Sequence, residues 1–194
     1  MEQLLKAFTH LAREIQVYFI SGLLISLNLF VIDFFYYHGS LWGKTNEGQF
    51  IMLVVIVSYI FGHICMGFNY VLFELEIYGK KKRSLNEILY TCIGLDHKID
   101  ERSMPEIYKK NIALYMHFIE RDHILVMMRW TISGALLINS LIEGIYLIRY
   151  SHQFKWQVLL LGVICFITFI LLYILTARTE KDYASNIEVL KKIP

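Results

Sequence analysis

Apolar residues along this chain fall into four long blocks that are separated by polar stretches. The blocks cover residues 16–36, 51–73, 124–148 and 156–177. Each is long enough to cross a hydrocarbon core of about 30 Å as a helix that rises about 1.5 Å per residue. Apart from Cys and Tyr, the ionisable side chains inside the blocks belong to Asp33, His63, Arg129 and Glu143. The pattern predicts four transmembrane helices.

The polar stretches carry helical patterns of their own. Ser84 and Glu87 have the spacing of a capping box and begin an apolar stripe. The stripe consists of Leu85, Ile88, Leu89 and Cys92. A second capping box lies at residues 103–106, and no helix breaker follows it before Gly134. We therefore expect one straight helix from about residue 105 into the third block.

Amphipathic stripes also mark residues 1–15 and the tail, where Tyr183, Ile187 and Leu190 share one helical face. Such stripes need apolar partners, and they are the natural partners of one another. We expect residues 1–15, 74–123 and 178–194 to pack into one helical lobe. The predicted fold is all-α: a polytopic integral membrane protein, with one membrane domain over residues 1–194 and a cytosolic lobe.

The distribution of Lys and Arg predicts the orientation of the helices. Sixteen of these residues lie in the N-terminal segment, in the stretch 74–129 and in the tail, whereas three lie in the other two loops. Because basic loops remain in the cytoplasm, we expect both termini and the lobe to be cytoplasmic. Aromatic residues gather at the opposite ends of the blocks, as is typical of the headgroup level. The predicted location is a bacterial inner membrane.

Composition agrees with a membrane protein. Apolar residues make up 56% of the chain and the mean hydropathy is +0.47, above the usual range of soluble domains. The first block is too long for a signal peptide and no small-residue cleavage site follows it, so we interpret it as retained. The three cysteines are far apart, which excludes a zinc ribbon and a paired-cysteine redox relay.

The third block has a broad polar face. At 100° per residue, six side chains fall within about 140° of arc. They are Arg129, Ser133, Asn139, Ser140, Glu143 and Gly144. Glu143 and Asp33 lie at similar depth, where two carboxyls can line a water-filled cavity or share a proton. The alternative is hydrogen bonding between helices, with Arg129 extending to the membrane surface.

His63 lies near the middle of the second block, and its helical face continues through Gly67 and Tyr70 to Glu74. Polar groups at membrane depth usually face a bundle interior or water, and many are functional. The alternative is a neutral imidazole that bonds to a neighbouring helix, with glycines allowing close packing.

A candidate metal site lies just before the third block. Glu120 and His123 have the spacing used by carboxylate-bridged metal pairs in helical bundles, and His117 lies one turn earlier. Such centres need two copies of this spacing and two further glutamates, whereas this chain has one copy. A solvated charged face is the favoured interpretation, and no cofactor is predicted.

A run of four basic residues follows the second block: Lys80, Lys81, Lys82 and Arg83. Clusters of this kind next to a membrane span attract anionic lipid headgroups. Nucleic acid is not an expected partner, because the formal net charge is only +2 and no RNA-binding motif is present. We predict contact with lipid headgroups.

Recognised catalytic motifs are absent: the chain has no phosphate-binding glycine loop, no GxSxG and no HExxH. The first hypothesis is therefore a non-enzymatic module, an oligomeric pore or a membrane-perturbing effector that is controlled through its lobe. The second is a membrane enzyme that uses His63, Glu143 or a metal at His117–His123. The third is a scaffold whose lobe binds a cytosolic protein or a small-molecule regulator.

In layout only, the predicted arrangement is similar to small four-span accessory proteins that are encoded beside bacterial phage-defence nucleases. This similarity of layout implies a role in antiviral defence, and no residue motif carries it.

Overall fold

The computed structural model describes residues 15–40, 46–75, 84–95, 107, 109–110, 112 and 115–192. Several predictions lie outside these residues. They concern the N-terminal stripe, the basic run Lys80–Arg83 and the second capping box.

Every regular element in the described part of the chain is helical. The helices are α1 (Ile20–Tyr37), α2 (Glu47–Asn69), α3 (Leu85–Cys92), α4 (Arg121–Arg149) and α5 (Trp156–Lys191). One π-helical turn precedes α1, another follows α2 and a third precedes α4; they cover Ile15–Phe19, Tyr70–Glu74 and Tyr115–Glu120. With these turns, α1, α2, α4 and α5 are long and apolar enough to cross a membrane, which confirms the predicted all-helical class and its four apolar helices.

Glycines allow α1 and α2 to pack closely as an antiparallel pair. A Cβ atom on Gly22 would overlap the backbone carbonyl of Ser58, and one on Gly62 would overlap the carbonyl of Tyr18. The Ser26 and Ser58 hydroxyls meet across this contact at 3.0 Å. The backbones thus approach more closely than larger side chains would permit.

Helix α4 packs against both α1 and α5. It runs parallel to α1: the Thr131 hydroxyl donates to the Val17 carbonyl at one end, and the Tyr150 hydroxyl just beyond α4 lies 2.9 Å from that of Tyr37 at the other. A short turn reverses the chain into α5. Helices α4 and α5 are therefore antiparallel neighbours, as predicted for the third and fourth apolar blocks.

The bundle has two distinct ends. At the tyrosine end, aromatic rings of Tyr36, Tyr37, Tyr146 and Tyr150 pack together. At the α3 end, one buried cluster contains Phe73, Tyr90, Trp130, Tyr173 and Ala177. A second cluster contains Ile107, Ile119, Tyr183, Ile187 and Leu190, so the predicted stripe on the tail is buried.

Helix α3 begins as the sequence predicts. The Ser84 side chain accepts from the Glu87 backbone N–H at 3.1 Å, and Gly94, with φ +69°, follows the helix. The buried face differs from the predicted stripe, because Asn86 and Tyr90 are buried whereas Cys92 is exposed. Hydrogen bonding at Asn86 accounts for this rotation of the helix.

The extensions of α4 and α5 are continuous with the apolar helices. From Tyr115 the chain passes through one π-helical turn into α4 without a break, and the predicted start near residue 105 lies outside the described residues. Helix α5 has 36 residues, which corresponds to about 54 Å at about 1.5 Å per residue. It exceeds the hydrocarbon thickness by several turns.

Candidate functional site

The Glu143 carboxyl lies in the interior of the bundle. The residue is 0% exposed, and neither carboxyl oxygen has a hydrogen-bond partner among the described residues. Gly162 on α5 provides the space: a Cβ atom there would lie 2.9 Å from Glu143 Oε2. An unpaired buried carboxyl is costly, so its presence calls for a physical explanation.

Asn139 lies one turn from Glu143 on the same face of α4. Its Nδ2 donates to the backbone carbonyl of Leu24 on α1 at 3.2 Å. Its Oδ1 is buried and accepts no hydrogen bond within the part of the chain that the structure describes. The side chain therefore ties α4 to α1 and leaves one polar atom inside the bundle.

Asn28 on α1 is a third member that the sequence analysis missed. It is buried, and neither of its amide atoms has a hydrogen-bond partner in the described residues. Two contacts fix its position along the axis of the bundle. Asn28 lies one turn beyond Leu24, which accepts the hydrogen bond from Asn139. It also lies one turn from Ile32, which shares a buried cluster with Val158.

One-turn steps along α4 from Asn139 and along α5 from Val158 lead to Glu143 and Gly162. Glu143 is one turn beyond Asn139, and Gly162 is one turn beyond Val158. Asn28 and Glu143 therefore occupy the same level of the bundle. We call Asn28, Asn139 and Glu143 the polar triad.

Polar groups continue from the triad toward the tyrosine end. Asp33 is 1% exposed on α1, and the Tyr36 hydroxyl is buried without a hydrogen-bond partner among the described residues. The Tyr37 and Tyr150 hydroxyls then meet at 2.9 Å, and this hydrogen bond raises the pKa of Tyr150. This half of the α1–α4 contact contains polar groups at nearly every turn.

Toward the α3 end the triad is followed by an apolar contact between Ile25, Cys65 and Ala135, which are buried together. We call these three residues the apolar plug. One turn beyond Cys65 and Ala135 the helices become polar again, at Asn69 and Thr131. Ser21 lies level with Ala135, and its hydroxyl donates to backbone carbonyls of the same stretch of chain. The Asn69 Nδ2 atom donates to the Trp130 carbonyl at 2.7 Å. The buried contact between Cys65 and Ala135 thus lies between the triad and the polar residues Asn69 and Thr131.

The polar face predicted on the third span is mostly turned inward. Ser133, Asn139 and Glu143 are buried, and Leu141 and Ile145 are exposed as expected. The apolar side is narrower than predicted, because three of its residues pack against buried clusters. These are Leu137, Ile138 and Ile142. Arg129 lies at the α3 end, half-buried, where it donates to the Thr179 hydroxyl.

His63 lies outside the bundle of the single chain. Its exposed ring stacks on Tyr18 with centroids 4.1 Å apart, and it meets Tyr59 edge-on at 4.7 Å. Gly67 and Tyr70 continue the same exposed face. The predicted helical face therefore exists but points away from the polar triad.

Asn86 is the centre of a polar cluster at the α3 end that the sequence analysis did not identify. It donates to Glu74 Oε1 at 2.6 Å and accepts from the Tyr173 hydroxyl. Burial, together with the nearby Glu180 carboxylate, raises the pKa of the Tyr90 hydroxyl. This cluster attaches α3 to the π-helical turn after α2 and to the middle of α5.

Asp122 forms a second link between the helical extensions. It is buried, accepts from Asn186 at 3.0 Å and pairs with Arg121 at 3.3 Å. The neighbouring His123 is exposed, and its ring lies 6.2 Å from that of Tyr183.

The candidate metal residues Glu120 and His123 flank this link, whereas the His117 side chain is outside the described residues. Within the described ranges there is no group of three or more His, Cys, Asp or Glu side chains placed to hold a metal ion.

No family model, curated protein or solved structure matches this chain.

Proposed function

We propose that this chain is a non-enzymatic integral membrane protein that changes the permeability of the bilayer, acting as an oligomeric channel that is controlled through its cytosolic helices. The observation that carries the proposal is the buried Glu143 carboxyl, which has no hydrogen-bond partner among the described residues of a bundle long enough to cross a membrane. Ionisable groups at membrane depth are expensive and commonly mark ion pathways.

The exposed face of α2 supports the oligomeric part of the proposal. It places His63 beside exposed apolar residues such as Ile60 and Ile64. In a membrane this face would present an imidazole to hydrocarbon, which is unfavourable. A second copy related by a two-fold axis brings the same imidazole opposite, and a neutral ring can donate from one nitrogen and accept at the other. We propose that the partner is another copy of this chain.

Control through the lobe is supported by the long helices. The end of α4 that bears Asp122 is bonded to Asn186 on α5, and α4 continues without interruption to Glu143. A partner that moves this end would therefore shift the polar triad. The α3 end is proposed to be cytoplasmic, where Lys80–Arg83 would contact anionic lipid headgroups. A role in bacterial antiviral defence stays a prediction from layout.

The test is a flux assay on purified protein in liposomes, read with dyes that report H⁺, K⁺ and Cl⁻ and with a released fluorophore that reports larger holes. We expect wild-type protein to raise ion flux above that of empty liposomes, and Glu143→Leu to remove the increase. Leu141→Ala, on the exposed face of the same helix, is the matched control and should retain it. Flux equal to empty liposomes at every protein density would refute the proposal.

A further inference from the structure

The polar interior of the bundle is better suited to carrying protons than to carrying metal cations. Within the described residues, the groups at the triad are one carboxyl and two side-chain amides, with no buried Lys, Arg or His. A hard metal cation usually requires six or more oxygen ligands or retained waters. A proton needs only a chain of groups that can donate and accept, and the triad, Asp33 and Tyr36 are of this kind.

Charge balance points in the same direction. An ionised Glu143 would be a buried charge with no basic partner among the described residues, which costs several kcal/mol. Cys165 on α5 lies near enough to interact electrostatically with it, and a thiol cannot supply a positive charge. Taking up a proton removes the charge, so protonation is the least costly way to hold this side chain inside the bundle.

We propose that protons cross through the interior of each single bundle, that Glu143 is the group that carries them, and that the apolar plug of Ile25, Cys65 and Ala135 is the gate. The inference rests on the proposed function, and it identifies the ion that the channel conducts and the route that this ion takes. It places that path inside one chain, not between copies. The interface at His63 then assembles copies that each contain a path.

Each transfer moves one proton and one unit of charge. On the tyrosine side, the Glu143 carboxylate takes a proton from a hydronium ion that reaches it past Asp33 and Tyr36, and a neutral water molecule is left. On the other side, the carboxylic acid returns the proton to water once water enters the plug. No oxidant, reductant or bound cofactor takes part.

The plug explains why such a path need not leak. Short apolar constrictions close channels by excluding water, although polar groups lie on both sides. Here the triad lies on one side, and Asn69 and Thr131 lie one turn beyond Cys65 and Ala135 on the other. Cys65 is 0% exposed within the plug. Because serine and cysteine have nearly the same volume, Cys65→Ser would make the plug more polar without changing its packing much.

The experiment uses full-length protein in liposomes that contain a pH-sensitive dye, with a K⁺ gradient and valinomycin to drive protons. The variants are Glu143→Gln, Glu143→Asp, Cys65→Ser, the double variant Cys65→Ser/Glu143→Gln, and the control Leu141→Ala. A parallel series without valinomycin measures K⁺ flux. Circular dichroism and size-exclusion chromatography of each variant establish that it is folded.

We expect Cys65→Ser to raise proton flux several-fold above wild type. Glu143→Gln should lower it at least tenfold in either background, whereas Glu143→Asp should retain part of it. Proton flux that Glu143→Gln leaves unchanged would overturn the role of Glu143, and flux unchanged by Cys65→Ser would overturn the gate. K⁺ flux equal to proton flux would contradict the proton path while leaving the proposed channel function intact. If no ion passes in any folded variant, the proposed function itself fails.

If Glu143→Gln does not fold, a second measurement tests whether Glu143 carries protons. Infrared spectra of wild-type protein and Glu143→Asp in lipid would then be compared, because a protonated carboxyl has a C=O band that shifts with its side chain and solvent deuteration. A band that differs between the two proteins supports the carrier role. Identical spectra overturn it.

Discussion

At the Glu143 carboxyl, the space that holds the side chain comes from a residue on another helix. Gly162 lies against it across the α4–α5 contact. The sequence analysis predicted that Glu143 and Asn139 face inward, because their helical periodicity separates them from the exposed Leu141 and Ile145. It could not identify Gly162 or Asn28, because the opposing residue depends on how neighbouring helices align, and periodicity within one helix carries no such information.

Because of this contact, Gly162→Ala should destabilise the protein although it adds only one methyl group. The new methyl would lie 2.9 Å from Glu143 Oε2 and 3.4 Å from Glu143 Cβ, so we expect a loss of about 1–3 kcal/mol in the free energy of unfolding, the usual cost of overpacking. Gly144→Ala is the control, because a Cβ there meets nothing within 4 Å. Unfolding in mixed detergent measures both. Equal stabilities for the two variants would show that the carboxyl does not fill this space.

At the scale of elements, the positions of the helices were predicted better from the sequence than the residues that each helix buries. The capping box at Ser84 and the short turn before α5 are local features, and both are present. The burial of Asn86 and the outward position of His63 were not predicted, because each depends on contacts between helices. Asn86 turns inward since Glu74 and Tyr173 bond it from two other helices, a preference that an apolar stripe does not reveal.

The attachment of α3 can be measured by a double-mutant cycle between Asn86→Ala and Tyr173→Phe. Removing both partners of a buried hydrogen bond should cost less than the sum of the single losses, and we expect a coupling of about 0.5–3 kcal/mol in the free energy of unfolding. Asn86→Ala combined with Thr91→Ala, on the exposed side of the same helix, should be additive. Additivity for the first pair as well would mean that the bond contributes nothing to docking.

At the scale of the whole molecule, orientation is the first prediction to test. Cys92 is exposed at the α3 end, whereas Cys65 and Cys165 are buried, so the natural chain has one probe there. We expect a membrane-impermeant maleimide to leave Cys92 unmodified in intact cells and to label it after lysis. His152→Cys, at the exposed turn of the tyrosine end, should react in intact cells when Cys92 is replaced by Ser. Labelling of Cys92 from outside would reverse the proposed topology.

Assembly gives a second prediction at this scale. Gly67 lies on the exposed His63 face, and a Cβ atom there would meet nothing within 4 Å in the single chain. Gly67→Trp should therefore leave the fold intact but separate the copies, because a bulky side chain blocks close approach of two helices. Cross-linking and size-exclusion chromatography in mild detergent measure the change. Leu141→Trp, on the exposed face of α4, is the control. If Gly67→Trp assembles like wild type, the interface lies elsewhere.

The central claim is that the buried carboxyl of Glu143 serves ion movement and is not merely tolerated by the fold. The most direct measurement is the initial rate of dye-reported proton flux into liposomes, normalised to inserted protein, for wild type and Glu143→Gln. The two side chains have nearly the same shape and differ in their ability to take up a proton. We expect a rate at least tenfold lower for Glu143→Gln at equal folding and insertion. Equal rates above those of empty liposomes would contradict it.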